Sequence, residues 1–413
     1  MTEVSAVLER LRRTTDTIVG ETDLAERLAS GRPLRIKYGV DCTAPDLHLG
    51  HAVNLWMMRH LQDLGHKVVF LLGDLTTRIG DPTGRSETRP VLTPEEIETN
   101  AASFLAQVSL VLRTEPEVFE VRRNSEWYDA MDVATLLGLF SQVTHAQLMA
   151  RDMFRERVAA GREIALHELT YPVLQGYDSF AVNSDLTIVG SDQLFNEQLG
   201  RHFQQRLGAA PQVVITSTIT PGVDGGAKQS KSLNNYIGLT DTPRDKFGKV
   251  MSLPDSLVQT YAHVYTELPL DVVAGLGEAA TQGGPPAREA KLRLASAIVT
   301  RYHGANTAKA ERETFIQLFS EGSQPTDLPE VIVEDATVLE LLLAARPSDS
   351  RSELRRLISQ GAVSLDGRKV SDPNEPISLT GPTILRSGRR TWHRLVPPAL
   401  IPDCRAELPI SPS

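Results

Sequence analysis

Between residues 34 and 216, five short runs rich in Val, Ile and Leu (34–40, 67–72, 118–121, 186–189 and 212–216) alternate with stretches of helical periodicity. Strands separated by helix-length segments connect by crossovers, and crossovers of that length set strands parallel with helices on both faces. The expected fold is therefore α/β, a Rossmann-like parallel-sheet domain whose ligand crevice lies at the C-terminal strand ends. From Pro243 to Ser320 the pattern is helical without strands. Leu292, Ala295, Ile298 and Tyr302 mark one buried stripe there, and GGPP at 283–286 separates two helices. EGSQPTDLPE at 321–330 reads as a linker by composition. Beyond it, 337–345 and 352–360 read as helices, followed by short strands around Val363, Val370 and Ile384 with Asp366-Gly367 as a hairpin turn. The expected order is a catalytic-type α/β domain (1–222), an α-helical domain opening on a loop (223–322), a linker (323–332), a small α+β module (333–396) and a tail (397–413).

At 413 residues the chain has room for two or three cores, and 41% hydrophobic with 23% charged residues is ordinary for a globular protein. No apolar run approaches the ~20 residues of a membrane span. MTEVSAVLERLRRTTD at the start reads as a charged amphipathic helix, not a signal sequence, so the expected location is cytoplasmic with no membrane partner. Two cysteines, Cys42 and Cys404, do not make a disulfide framework. The net charge of -9 argues against a general nucleic-acid binder. Arg346 to Arg394, however, holds ten basic residues against five acidic ones, a basic module on an acidic body.

The densest chemistry lies in DCTAPDLHLGH, residues 41–51. A run through Ile36, Tyr38 and Val40 enters a turn at Thr43 and Pro45, and helical spacing begins at Asp46, so His48 and His51 sit at a helix start. Helix starts favour phosphate, and neutral imidazole N–H groups there can bond phosphate oxygens. A capped helix with two surface histidines is the plainer reading. Zinc is disfavoured, since H-x-x-H is not the H-E-x-x-H pattern. Other strand ends carry GDPTGR (80–85), where Asp81 precedes Arg85 and Arg89, and GSDQ (190–193), where Asp192 suits ribose hydroxyls. Tyr171, Gln175 and Asp178 share one stripe of a single helix. KQSKS at 228–232 is a cationic loop that could close over polyphosphate. Between 131 and 160 an amphipathic helical stretch, with Arg151, Asp152 and Arg155 exposed, could cover a domain edge or form a dimer contact.

In order and spacing, these motifs resemble one family, the bacterial tyrosyl-tRNA synthetases of class I. HLGH (48–51) is similar to that family's HIGH signature and KQSKS (228–232) to its KMSKS signature, with GDPTGR, YPVLQGYD (171–178) and GSDQ between them. SELRRLISQGAVSLDGRKVSDP (352–373) resembles the small RNA-binding fold named after ribosomal protein S-four. The resemblance runs from about residue 34 to 395, and KVVFLLGD with NSEWYD places it in the second bacterial branch.

The resemblance implies activation of L-tyrosine by ATP, with its accompanying Mg2+, and transfer to tRNA(Tyr) by a homodimer without a protein-bound metal. By similarity, Thr43, His48, His51, Lys228 and Lys231 carry catalysis. Asp41, Asp81, Tyr171, Gln175, Asp178 and Gln193 hold the amino acid. Gly39, Gly50, Gly190 and Asp192, with His48, His51 and Lys231, line the ATP site. Arg351, Arg355, Arg356, Arg368 and Lys369 face tRNA. Four positions stand out against the family pattern: Lys37, where the better-known branch has tyrosine and the second branch often lysine, with Gln229 for methionine, Cys42 for proline and Val189 for glycine. These changes keep two other readings open, a paralogue for another aromatic amino acid and a silent RNA-binding protein.

Overall fold

The computed structural model describes residues 3–43, 47–81, 92–230, 233–320, 328–347, 349–388 and 391–398. Pro45, Asp46, Arg85, Arg89, Lys231, Arg389, Arg390, the first half of the expected linker and nearly all of the expected tail lie outside them. The chain divides into two compact units, Met1–Thr314 and Phe315–Ser413.

The first unit is built on a six-stranded sheet: β1 (Thr15–Val19), β2 (Arg35–Val40), β3 (Lys67–Leu72), β4 (Phe119–Arg123), β5 (Leu186–Gly190) and β6 (Val213–Ser217), in the order β1-β6-β5-β2-β3-β4. From β2 the chain winds through β3 to β4 on one side, then returns to place β5 and β6 on the other. The switch point lies between β2 and β5, where open parallel sheets leave their crevice. The apolar runs of β3 and β6 are buried almost throughout because helices cover both faces.

All five expected strands form, and a sixth was missed. The amphipathic N-terminal helix ends at Arg12, and the β-branched run from Thr15 pairs antiparallel with β6, making the sheet mixed. A five-residue edge strand with a register irregularity has too little alternation to show against the helical pattern before it. The stretch 131–160 forms three short helices, Val133–Phe140, His145–Met149 and Asp152–Ala159. Arg155 is exposed as expected, but Arg151 is buried, its guanidinium lying over Phe154 and Phe195 at 5.6 and 5.1 Å. A cation over two ring faces can be desolvated in a way the sequence pattern does not reveal.

Five α-helices and one short 3-10 helix follow from Pro243 to Ser320, with no strand among the described residues there. Leu292, Ala295 and Ile298 are buried and Tyr302 half-buried in helix Gly284–His303. Tyr302 ties this bundle to helix Leu49–Asp63 by accepting from Trp56 Nε1 at 3.0 Å.

The second unit contains β7 (Glu330–Ile332), β8 (Ala336–Thr337), β9 (Val363–Leu365), β10 (Arg368–Val370), β11 (Pro376–Ile377), β12 (Thr383–Ser387) and β13 (Thr391–Val396). Five of them form a sheet ordered β10-β9-β12-β13-β7. Helices Val338–Ala345 and Arg351–Ser359 bury Leu341, Leu342, Leu354 and Ile358 against it. Asp366 and Gly367 turn the β9–β10 hairpin with φ of 45° and 82°, the left-handed pair this tight turn requires. β7 falls inside the expected linker, recruited as a parallel partner by β13. Arg351, Arg355, Arg356, Arg368 and Lys369 are all exposed.

Candidate active site

A cavity of about 660 Å³ opens at the C-terminal ends of β2, β5 and β6. It is lined by Gly39, Asp41, Thr43, His48, Gly50, His51, Asp81, Tyr171, Gln175, Asp178, Gly190, Asp192, Gln193 and Lys228. Every described residue expected at the amino-acid and nucleotide sites therefore faces one space. Lys231 lies outside the described residues.

Helix Leu49–Asp63 begins at this cavity with His48 as its N-cap. Gly50 N–H donates to His48 Nδ1 at 3.1 Å, and His48 N–H donates to His51 Nδ1 at 3.3 Å. Both Nδ1 atoms act as acceptors, so in the neutral rings Nε2 carries the proton. The imidazoles, 4.0 Å apart between centroids, form a pair of ring donors at a helix N-terminus, suited to phosphate oxygens. Gly50 is needed locally: a Cβ there would stand 2.9 Å from His48 Cε1. At Gly39 a Cβ would meet only Leu71, 4.0 Å away, so the space in front of this residue belongs to the cavity.

A ribbon of hydrogen bonds runs along one wall. Tyr171 Oη donates to Asp41 Oδ2 at 3.1 Å, and Gln193 Nε2 donates to Asp81 Oδ2 at 2.9 Å. Gln175 Nε2 donates to Gln193 Oε1 at 3.2 Å and to Glu197 Oε1 at 3.0 Å. Burial and the neighbouring carboxylates push the Tyr171 hydroxyl well up, so it stays a donor. Asp41 and Asp81 present two carboxylates where an ammonium group can be held. Deeper in, Asp178 accepts from Trp127 Nε1 at 3.1 Å and Asn124 Nδ2 at 3.4 Å. Burial pushes its carboxyl up to about 7, against the opposing pull of the Lys37 ammonium and these donors.

Lys37 itself is 2% exposed, and its Nζ reaches Glu197 Oε2 at 2.8 Å and Ser179 Oγ at 2.7 Å. The opposite charge at contact distance offsets part of the cost of burying this ammonium. Sequence spacing does not single out Glu197, which lines the cavity, or Asn124 and Trp127, which bond Asp178. Glu197 lies in the first turn of helix Leu194–Arg206 and Asn124 just past a strand, where spacing carries no sign of convergence. Lys228 Nζ lies 3.2 Å from Asp192 Oδ2 at the mouth, linking the cationic loop to the other helix start.

Comparison with known proteins bears on this geometry. Residues 29–320 match the family described as tRNA synthetases class I (W and Y), and residues 339–381 match the S4 domain. The chain belongs to the class I tRNA synthetases. Relatives of this synthetase include the tyrosine–tRNA ligase of Oleidesulfovibrio alaskensis, 44% identical over 94% of this chain and 98% of that one. That of Moorella thermoacetica is 44% identical over 95% and 96%. In fold, it resembles a C-terminally truncated mitochondrial tyrosyl-tRNA synthetase of Aspergillus nidulans (TM-score 0.62, 23% identity, 77% of this chain and 95% of that one). The tyrosyl-tRNA synthetase of Archaeoglobus fulgidus complexed with L-tyrosine gives a TM-score of 0.58 at 19% identity, covering 75% of this chain and all of that one.

Two of the synthetase's departures have local explanations. Cys42 holds its turn without a proline ring: its N–H donates to Thr77 Oγ1 at 2.8 Å and its carbonyl accepts from Asn100 Nδ2 at 2.8 Å. Burial and the nearby carboxylates push its thiol up to about 12, so it is a packing residue, not a nucleophile. Val189 lines the cavity at 8% exposure, narrowing it where a glycine would not.

Proposed function

We propose that the chain is a tyrosine–tRNA ligase. The single observation that carries this is the convergence of the two signature segments and the Asp178 stripe on one cavity, in a chain 44% identical to tyrosine–tRNA ligases over nearly its full length. In the first step the tyrosine carboxylate attacks the α-phosphorus of ATP. A carboxylate oxygen–phosphorus bond forms, and the bond to the departing pyrophosphate breaks. The nucleophile is already an anion, so no general base is needed, and catalysis rests on positioning and charge stabilisation. The Nε2–H groups of His48 and His51 and the hydroxyl of Thr43 face the phosphates, joined by Lys228 and Lys231. In the second step a 3′-terminal ribose hydroxyl of tRNA attacks the acyl carbon and AMP leaves.

Asp41, Asp81, Tyr171 and Gln175 hold the substrate ammonium, and Asp178 accepts from the phenol hydroxyl with Lys37 beside it. Gln193 stands near the carboxylate. Gly39, Gly50, Gly190 and Asp192 receive the adenosine, and Mg2+ arrives with the phosphates of ATP. Residues 1–222 serve activation, 223–322 the signature loop and anticodon recognition, and 333–396 tRNA binding through Arg351, Arg355, Arg356, Arg368 and Lys369. The enzyme works in the cytoplasm as a homodimer. Supporting the dimer, helices Val133–Phe140 and Leu166–Ala181 pack together and leave Val133, Leu137 and Leu166 between 59% and 77% exposed. Sedimentation equilibrium tests that assembly. No helix among the described residues is long and apolar enough to cross a membrane.

The deciding experiment is ATP–pyrophosphate exchange with each of the twenty amino acids and with tyrosine analogues, before any tRNA is added. Exchange with tyrosine alone is expected. Exchange with an analogue but not tyrosine would mean a paralogue of different specificity, and none at all a silent RNA-binding protein.

A further inference from the structure

The signature loop departs from the family pattern at Gln229, and here that side chain has partners a thioether could not engage. Gln229 is buried although Lys228 before it is exposed. Its Nε2 donates to Tyr265 Oη at 2.7 Å and to Thr220 Oγ1 at 3.3 Å. Its Oε1 accepts from Ile237 N–H at 3.4 Å. Tyr265 and Thr220 are also hydrogen-bonded to each other. Burial pushes the Tyr265 hydroxyl up, so it stays protonated while its oxygen accepts from Gln229.

The three partners come from separate parts of the unit. Thr220 follows β6, and Tyr265 ends helix Val258–Tyr265. Ile237 belongs to a segment laid against the histidine helix: its carbonyl accepts from Leu49 N–H at 2.9 Å, Gly238 forms a bridge with His48, and Leu239 N–H donates to the Leu47 carbonyl at 2.9 Å. Lys228 in turn forms a backbone bridge with Pro221. Gln229 therefore connects the stretch carrying Lys228 to the segment that braces His48.

We propose that Gln229 is a positioning residue for adenylate formation, a polar latch that fixes Lys228 relative to the histidine helix start. This rests on the ligase reading above. A buried amide with both ends engaged allows one orientation, whereas methionine is the most adaptable of the apolar side chains. With methionine at 229 the three bonds are lost. Thr220 and Tyr265 keep each other, and the Ile237 N–H loses its side-chain acceptor. The lysine then samples positions in which its charge misses the departing pyrophosphate. Tyrosine binding, on the far wall, does not depend on the latch.

The test is pyrophosphate exchange by the full chain, with tyrosine affinity measured separately by equilibrium binding. Gln229→Met is expected to lower the exchange kcat about tenfold while tyrosine Kd stays unchanged. Tyr265→Phe is expected to lower kcat as well, and the double variant to lose no more than the worse single one. An unchanged kcat in Gln229→Met, a loss shared equally with tyrosine binding, or an additive double variant would overturn the latch. Should Tyr265→Phe fail to fold, the kcat-against-Kd split of Gln229→Met decides alone. Wild-type exchange with tyrosine is measured first: its absence sinks the ligase reading, whereas a silent Gln229→Met sinks only the latch.

Discussion

Asp178 shows how one buried carboxyl can make substrate binding depend on pH. Burial raises its pKa to about 7 from 3.8, so the folded protein holds a proton there that the unfolded chain releases at lower pH. That contribution to stability is fully present below the unfolded value and is lost as pH rises through about 7. For ligand binding the sign is reversed, because the ionised carboxylate is the stronger acceptor of a phenol O–H. Tyrosine affinity should therefore rise from pH 6 to pH 8, and Asp178→Asn should flatten the profile; a wild-type profile without that rise would refute the assignment. The histidines carry a different expectation. On the proposed mechanism His48→Ala removes a donor to the developing phosphate charge and should lower the pyrophosphate-exchange kcat about 10²- to 10³-fold. Tyrosine Kd, measured by equilibrium binding, should hardly move.

Among the elements, helix Leu166–Ala181 carries Tyr171, Gln175 and Asp178 on the face that lines the cavity, the wall proposed to hold the amino acid. Its start is held by Glu168, whose carboxylate accepts from the Ala165 N–H at 2.9 Å and pairs with Arg157 at 2.9 Å. Both side chains are about 5% exposed. Burial works against the Glu168 charge, but the Arg157 guanidinium and the Ala165 N–H keep its carboxyl below the usual range. Removing one partner of such a pair leaves a desolvated charge, so Arg157→Ala should cost about 3 kcal/mol of stability in urea unfolding. Tyrosine affinity should fall with it, because the wall loses its anchor. A variant as stable as the wild type would show that water reaches Glu168 freely. From sequence, the Tyr171–Gln175–Asp178 stripe was legible because helical spacing is local. The Arg157–Glu168 pair was not, because its geometry depends on how two helices meet.

At the scale of the molecule, the proposed function divides the work between the acidic body of the chain and the basic stretch Arg346–Arg394. Arg355 and Arg356 point outward from helix Arg351–Ser359, whose other face buries Leu354 and Ile358. Replacing both with Ala should raise the KM for tRNA several-fold, most at low salt because the variant loses part of its salt dependence, and leave pyrophosphate exchange unchanged. An equal loss in both steps would break that division of labour. The sequence by itself determined the five parallel strands, the two histidines at a helix start, the Asp366-Gly367 hairpin and the basic module. Each of these rests on short-range periodicity, capping or turn chemistry, which a linear reading captures. Only the tertiary structure decided the rest. It recruited Thr15–Val19 and Glu330–Ile332 as strands, because a strand at an edge is made by its partner as much as by its own residues. It buried Lys37 against Glu197 and Arg151 between two rings, and it joined Gln229 to Tyr265. Buried polar groups need partners from distant parts of the chain, and only the fold brings those partners within hydrogen-bonding reach.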